Sequence, residues 1–361
     1  MSYAPPSSAP EAPVPAQAVA ELLGATVKAT GRSRGRLRRY GIWIALLVLA
    51  FILSGASSSF RTATNLTNIL EQNSMLGIVA CGQFVMMVSG GFDLSVGAVG
   101  ATGSVAAAYF TLHSGLAVAI PVGLAVGLAI GLINGLLIAK GGINAFMTTF
   151  AMASIVTGIL FVVTSAAPVN ANAGWLTTLA FSRVAGVPDA FIAYLAIAVL
   201  TWLLMTRTKW GHYVYSIGGN KEASYLSGVP VTSTQVAAFV FGGLAAALAG
   251  LILLGQSDIG QPSSATDWPL TSIAICVIGG VSLSGGEGRV QDTVAATLLL
   301  GVVANGLNLL NVSAYIQPAV TGAVILAAVA FDKVSRSRQL AGGAGTSQHR
   351  LTNLIQRPRT S

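Results

Sequence analysis

Charged residues are scarce in this chain: they make up 8% of its 361 residues, whereas 53% of the residues are hydrophobic. Soluble domains carry roughly 25% charged residues, so the composition excludes an ordinary water-soluble domain. The apolar residues are gathered in runs close to the ~20 residues that a helix needs to cross the hydrocarbon core of a bilayer. We therefore predict an all-α polytopic membrane protein.

Recognisable motifs of catalysis and metal binding are also lacking. No lysine follows a glycine and precedes Ser or Thr, which excludes a Walker A nucleotide site, and neither HExxH nor GxSxG occurs. The two cysteines, Cys81 and Cys276, lie in apolar runs and give no disulfide framework or metal-ligand cluster. We expect that this chain has no catalytic residues, no bound metal and no cofactor of its own.

Ten apolar runs predict about ten transmembrane helices. The second, third and eighth runs are short or interrupted by glycine, so counts of nine and eleven stay open. Within the fourth run, four glycines spaced four apart predict close packing of another helix; they are Gly123, Gly127, Gly131 and Gly135. The ten runs cover about residues 41–57, 74–89, 93–112, 116–139, 144–164, 189–206, 235–255, 268–284, 290–310 and 314–331.

Basic residues predict the orientation. If both termini are cytoplasmic, all 19 Lys and Arg residues except Arg61 and Arg183 lie on the inner side, as the positive-inside rule expects. Residues 1–39 then form a disordered basic tail that lies against membrane lipid, 40–332 form the membrane domain, and 333–361 form a second disordered tail. Because the basic residues are spread over tails and short loops, no nucleic-acid partner is expected.

Two glycine pairs interrupt apolar runs. VSLSGGEGRV, residues 281–290, resembles the signature of ATP-hydrolysing transporter subunits, but without a Walker A motif we interpret it as an inner-face turn between the eighth and ninth runs. Gly90-Gly91 is followed at once by Asp93. Asp93 either caps the next helix or marks a broken helix near a solute path.

Amide side chains inside the apolar runs mark a candidate solute path, since polar groups at membrane depth usually face the interior of a bundle. Amides suit an uncharged, polyhydroxylated solute, and interhelical hydrogen bonding is an equally good explanation for each residue alone. Together with Asp93, the path candidates are Gln83, Asn134, Asn305, Asn308 and Gln317.

The longest predicted inner loop, about residues 207–234, contains the pattern of one short helix. Asn220 is a good N-cap, and Gly228 suits the position just after the helix. Ala223 and Leu226 would share a small apolar face. Because so short a helix is not stable alone, we expect it to dock on another protein. The alternative is that the loop folds onto the helix ends of its own chain.

Four blocks of the sequence, in order, resemble one family. They are SGGFDLSVGAV, NAFMTTFAMASIVTGI, YSIGGNKEASYLSGVPV, and IGGVSLSGGEGRV with the later ANGLNLLNVSAYIQPAVTGAVILAAV. Over about residues 65–332 the chain is similar to the permease subunits of ribose/xylose/arabinose-type ABC importers, in the superfamily shared with branched-chain amino acid permeases. EASYLSG matches the EAA-x-x-x-G coupling signature of such permeases, with Ser224 in place of the second alanine.

The resemblance implies an assembly in the bacterial plasma (inner) membrane. It would contain a second permease subunit, identical or different, ATP-binding subunits that hold the ATP, and an extracytoplasmic solute-binding protein. The residues implied to couple this chain to the ATPase are Gly219, Asn220, Glu222, Ala223 and Gly228.

The function expected from these observations is that of the permease subunit of an ATP-driven importer for a small sugar or polyol. One alternative is a permease for branched-chain amino acids or nucleosides. A second alternative is an ion-coupled secondary transporter. The position of every acidic residue, at a span end or in a loop, counts against that second alternative, because such transporters usually carry carboxylates inside the membrane.

Overall fold

The structure is a computed structural model. The predictions for residues 1–31, for the tail 333–361, for Gln317 and for most of the tenth apolar run lie outside the residues that it describes, whereas 32–39, predicted to be disordered, are helical. For 32–39 it describes the backbone alone. The described residues are 32–313, 316, 319–320, 322–323 and 326.

Helices dominate the described part of the chain, which agrees with the predicted all-α class. A single 3-10 turn, Ser58–Arg61, follows the first helix. The helices are α1 Arg32–Ala56, α2 Ala63–Val88, α3 Val96–His113, α4 Leu116–Ala139, α5 Ala145–Thr164, α6 Trp175–Phe181, α7 Asp189–Arg207, α8 Lys209–Gly219, α9 Lys221–Leu226, α10 Val231–Ser257, α11 Trp268–Ile278 and α12 Val290–Leu309.

Four strands of two residues each form two small antiparallel pairs. β1, Val169–Asn170, pairs with β4, Ile259–Gly260. β2, Arg183–Val184, forms a hairpin with β3, Val187–Pro188. The first pair joins the chain after α5 to the chain after α10, so it links the ends of two long helices.

Within the described residues, five helices are long and apolar enough to cross a membrane by length and composition: α4, α5, α7, α10 and α12. Two shorter apolar helical segments are Tyr40–Ala56, within α1, and α11. Nine of the ten predicted runs coincide with helices, although the eighth run is helical only as far as Ile278. The count of about ten spans and the cytoplasmic location of both termini stay predictions.

Several helix boundaries differ from the expectation, and α2 begins at Ala63, well before the predicted start of its run at residue 74. α1 begins at Arg32, before the predicted boundary at residue 40, because the arginines and leucine of this stretch are good helix formers. The region 207–234 holds two helices rather than one, since α8 precedes α9. α8 buries Val214 and Ile217 and is capped by Thr208, whose hydroxyl accepts from the Gly211 N–H at 3.2 Å; sequence analysis missed this N-cap signal, which is of the kind used for α9.

The predicted glycine face of α4 packs against α10, and the packing interpretation is confirmed. α10 is the central helix of the bundle and also contacts α2 and α3. At Gly131 a Cβ would lie 2.6 Å from the Phe239 carbonyl oxygen, and at Gly135 it would lie 2.9 Å from the Val236 Cα. The two backbones therefore touch, which is how helices gain attraction where lipid removes the hydrophobic drive.

Candidate functional site

The chain between α2 and α3 is a polar break held inside the bundle. α2 ends at Val88, and Gly90 adopts φ +91°, a left-handed value that glycine tolerates at no steric cost. The Asp93 carboxylate accepts hydrogen bonds from the backbone N–H of Ser95 at 2.6 Å and from its hydroxyl at 2.6 Å. Ser95, not Asp93, occupies the N-cap position of α3, so the predicted capping role is corrected: Asp93 braces the cap from two residues before it.

Gln83 and Asn134 complete this cluster from α2 and α4. The Asn134 amide donates to the Ser95 hydroxyl at 2.9 Å and to the Asp93 carboxylate at 3.3 Å. In the amide orientation that satisfies both groups, Gln83 donates to the Asp93 carbonyl at 3.2 Å and accepts from its N–H at 3.1 Å. Thr149 of α5 accepts from the Leu94 N–H at 3.0 Å.

Three of the six path candidates are thus brought together, and all three are buried from solvent. Their polar atoms hold the break against three helices, which favours interhelical hydrogen bonding, one of the two explanations that the sequence left open. Sequence analysis missed Ser95 and Thr149. The signals available for them were the two-residue spacing from Asp93 and the Thr-Thr pair in the first turns of α5.

Asn305 and Asn308 lie elsewhere, in the last turns of α12. Asn305 exchanges two amide hydrogen bonds with Asn65, at 3.0 and 2.7 Å. Asn65 is in the first turn of α2, about 27 Å along the helix from Gln83 at 1.5 Å per residue. Asn308 is exposed. A role for these residues in a solute path stays a prediction.

The short helix α9 has the ends that the sequence predicts. The Asn220 side chain accepts from the Ala223 N–H at 2.9 Å and caps the helix, and Glu222 falls in its first turn. Gly228 follows with φ +79°, and its N–H bonds the Tyr225 carbonyl at 3.0 Å. The helix is therefore closed at both ends by local hydrogen bonds.

One face of α9 is exposed and apolar. Tyr225 and Leu226 are 71% and 79% exposed, whereas Ser224 faces inward and is buried. The Ser224 hydroxyl lies 2.8 Å from the hydroxyl of Ser216 on α8. The serine that departs from the coupling signature thus ties α9 to α8. Ala223 and Leu226 are both exposed, as the predicted pairing expects, and Tyr225 adds a large apolar side chain beside Leu226.

Glycines join α8, the break after α2 and the late loop between α11 and α12. We call Gly90, Gly218, Gly285 and Gly286 the glycine junction. A Cβ at Gly218 would collide with the Val88 carbonyl oxygen, and a Cβ at Gly285 would lie 2.8 Å from the Gly90 Cα. The Gly286 N–H donates to the Val88 carbonyl at 2.9 Å. Only residues without side chains fit this approach.

The late loop is confirmed as a turn between two helices. It connects α11 to α12, and its Gly288 carbonyl accepts a hydrogen bond from the Tyr215 hydroxyl of α8 at 2.9 Å. Burial raises the pKa of Tyr215, while the guanidinium of Arg289 partly opposes this shift. The phenol therefore stays protonated and able to donate near neutral pH.

A separate apolar cleft of about 590 Å³ lies between α3, α4 and α5. Its walls include Val105, Ile130, Val156 and Leu160, and none of the described path candidates lines it. Three hydroxyl side chains, Thr102, Tyr109 and Thr164, also line it, but its walls are mainly apolar, so it offers few partners to a polyhydroxylated solute. Among the described residues, no group of three or more His, Cys, Asp or Glu side chains is placed to hold a metal ion.

A bundle of apolar helices with a buried polar break, joined through glycines to an exposed short helix, defines a multi-pass membrane protein of the transport class. Residues 65–329 match the family described as "Branched-chain amino acid transport system / permease component". The chain belongs to this permease family and is a multi-pass protein of the plasma membrane.

Its relatives confirm the resemblance to ribose- and arabinose-type permeases. The ribose import permease protein RbsC of Escherichia coli (strain K12) is 40% identical over 294 residues, 80% of this chain and 92% of the relative. The L-arabinose transport system permease protein AraH of the same strain is 38% identical over 296 residues, 82% of this chain and 90% of the relative. RbsC of Bacillus subtilis (strain 168) is 38% identical over 306 residues, which are 83% of this chain and 94% of the relative. No solved structure matches the chain.

Proposed function

We propose that this chain is the membrane-spanning permease subunit of an ATP-driven ABC importer, with both termini in the cytoplasm. The observation that carries the proposal is the exposed apolar face of α9, formed by Tyr225 and Leu226, on a helix tied through α8 to the glycine junction. Isolated apolar side chains at a surface are ordinary, but a capped helix that presents two of them together suits a protein interface.

The coupling partner is an ATP-binding subunit that docks on α9. Closure of that subunit on ATP moves α9 and α8, and the backbone contacts of Gly218 pass the displacement to the break at Gly90 and to the late loop. ATP is bound by the partner, and this chain needs no cofactor of its own. A solute-binding protein on the outer side and a second permease subunit complete the assembly.

The proposed cargo is a small sugar or polyol. Relatives of similar length are named as ribose and L-arabinose permeases, which supports this class. The family description, which names branched-chain amino acids, keeps those solutes as the second candidate. Uptake of radiolabelled D-ribose, with L-leucine as the comparison, separates the two in cells that carry or lack this chain.

Gly228→Asp tests the coupling role. We expect the variant to reach the membrane at the normal amount but to lose ATP-driven uptake, because an aspartate side chain alters the surface beside Tyr225 and strains a residue at φ +79°. The matched control is Gly115→Asp, at φ +75° with equally open surroundings, in the turn between α3 and α4. Normal uptake by Gly228→Asp would contradict the proposed coupling site.

A further inference from the structure

After α10 the chain turns back into the bundle without forming a helix. We call residues 258–267 the return segment. It starts at Asp258, whose carboxylate accepts from the Ala173 N–H at 2.8 Å beyond the end of α10. At Gly260 a Cβ would lie 2.8 Å from both the Val105 Cα and the Ala108 Cβ, so the segment runs directly along α3.

The contacts of α3 show how deep the return segment reaches. The Ala265 carbonyl oxygen lies against Gly97, in the first turn of α3, where it would collide with a Cβ. A Cβ placed on Gly100 would lie 2.6 Å from the Trp268 ring and 3.2 Å from the Ala246 carbonyl oxygen, so Trp268, which follows the segment, lies beside Ala246. Ala246 is near the middle of α10, about 16 Å along the helix from Ser257. The segment therefore ends near the midplane of a core ~30 Å thick.

Polar side chains cover the free side of this segment. Gln261, Ser263, Thr266 and Asp267 are all exposed, and the Gln261 amide donates to the Ser263 hydroxyl at 2.8 Å. Asp267 precedes α11 without making a side-chain capping bond.

Membrane physics restricts what can face this surface. Irregular backbone at membrane depth is tolerated where it is covered by protein or lines a water-filled cavity, and it does not occur in contact with lipid. A carboxylate near the bilayer centre likewise marks a solute or ion pathway by default.

We infer that the exposed side of the return segment, Gln261 to Asp267, lines the water-filled path through which the solute crosses. The inference rests on the proposed import function and names the residues that would contact its cargo. It moves the solute contacts away from the buried cluster of Gln83, Asp93 and Asn134, whose side chains bond one another and the break; within the described residues the Asn134 Oδ1 is buried without a partner.

The chemistry of this surface selects a solute class. A carboxylate accepts hydrogen bonds from neighbouring hydroxyls of a sugar, and amide and hydroxyl side chains both donate and accept. The return segment and α3 contain no Lys or Arg to pair with the carboxylate of an amino acid. Asp267 at the start of α11 would attract the ammonium group of an amino acid but leave its carboxylate without a cationic partner. The surface therefore suits a neutral polyhydroxylated solute better than an amino acid.

Thiol labelling tests whether the segment faces water. Thr266→Cys is introduced into the full chain, reconstituted in lipid vesicles with its ATP-binding subunit, and exposed to a charged, membrane-impermeant methanethiosulfonate. The reagent needs a thiolate, which forms only in water. The native Cys81 and Cys276 are both buried, which keeps the background low. Controls are Ile155→Cys and Val199→Cys, at apolar positions that are 55% and 53% exposed near the middle of α5 and α7.

We expect Thr266→Cys to react at least tenfold faster than both controls. A rate equal to theirs would overturn the inference, because the segment would then be covered by lipid or by a second subunit. Addition of D-ribose together with the solute-binding protein and ATP should slow the reaction, since the solute passes the same surface.

Uptake measurements test the solute contact itself. Asp267→Asn should lower D-ribose uptake at least tenfold with unchanged amounts of protein, whereas Asp258→Asn, which keeps an acceptor oxygen for Ala173, should import normally. Unchanged uptake by Asp267→Asn would overturn the proposed contact. If the unmodified chain imports no D-ribose although Thr266→Cys is labelled, the cargo proposal fails while the path assignment stands.

Discussion

Two places in the bundle interrupt the helices with polar chain, and they treat their polar groups in opposite ways. At the break between α2 and α3, Asp93 and Asn134 are fully buried and bonded to one another. Along the return segment, Thr266 and Asp267 are exposed. The difference teaches that a polar residue at membrane depth has two separate uses, bracing a non-helical backbone or facing water, and that burial distinguishes them.

The largest effect is expected at the glycine junction. Gly218→Ala should destabilise the protein by about 1–3 kcal/mol, as overpacking does, since its Cβ has no space beside the Val88 carbonyl. The neighbouring Gly219→Ala is the control, because nothing lies within 4 Å of its Cβ position. Thermal unfolding of the purified chain in detergent measures both, and equal midpoints would show that the junction is not tightly packed.

A similar loss is expected when a donor is removed from the buried break. Asn134→Ala removes the amide that donates hydrogen bonds to the Asp93 carboxylate and the Ser95 hydroxyl. The loss of these buried bonds should lower the free energy of unfolding by about 1–3 kcal/mol. The same unfolding measurement reports it. A change below the scatter of replicate measurements would mean that the break does not depend on this hydrogen-bond network.

A smaller loss is expected at the link between α8 and α9. Ser224→Ala removes the hydroxyl's bond to Ser216, worth about 1 kcal/mol, together with its bond to the Asn220 carbonyl of the same helix, and restores the alanine of the coupling signature. We expect uptake to persist with a modestly lower unfolding midpoint. Complete loss of uptake would show that this hydroxyl has a role in coupling beyond its bond to α8.

The smallest effect is expected on the return segment. Thr266→Ala and Ser263→Ala should each change stability by less than about 0.5 kcal/mol, as exposed substitutions do. Their effect should appear in uptake instead. A loss of stability as large as that of Asn134→Ala would erase the contrast between the two regions.

Local signals predicted α9 well, because Asn220 and Gly228 act within a few residues of the helix they bound. They also selected Gln83, Asp93 and Asn134. Thr149 accepts a hydrogen bond from the Leu94 N–H but lies 55 residues away in sequence, so spacing could not predict this partner. α8 was missed although Thr208 caps its start by a local hydrogen bond to the Gly211 N–H; the burial of Val214 and Ile217 is the tertiary part that local signals do not show.

The return segment shows where sequence reasoning fails most clearly. Its polar composition is typical of an external loop, and the apolar run that follows was extended to residue 284, whereas α11 ends at Ile278. Its depth depends on contacts with Gly97 and Gly100, about 165 residues earlier in the chain, whose lack of side chains makes room for it. No pattern within residues 258–267 reveals that contact.

The glycine junction also has a consequence for biosynthesis. Its members come from around residues 90, 218 and 286, so the complete junction is absent from every nascent chain that has not yet passed Gly286 on the ribosome. Until then α8 and the break after α2 are without the Gly286 N–H that bonds Val88. The segment that carries the proposed docking helix α9 is thus fully tied to the break only after the late loop has been synthesised.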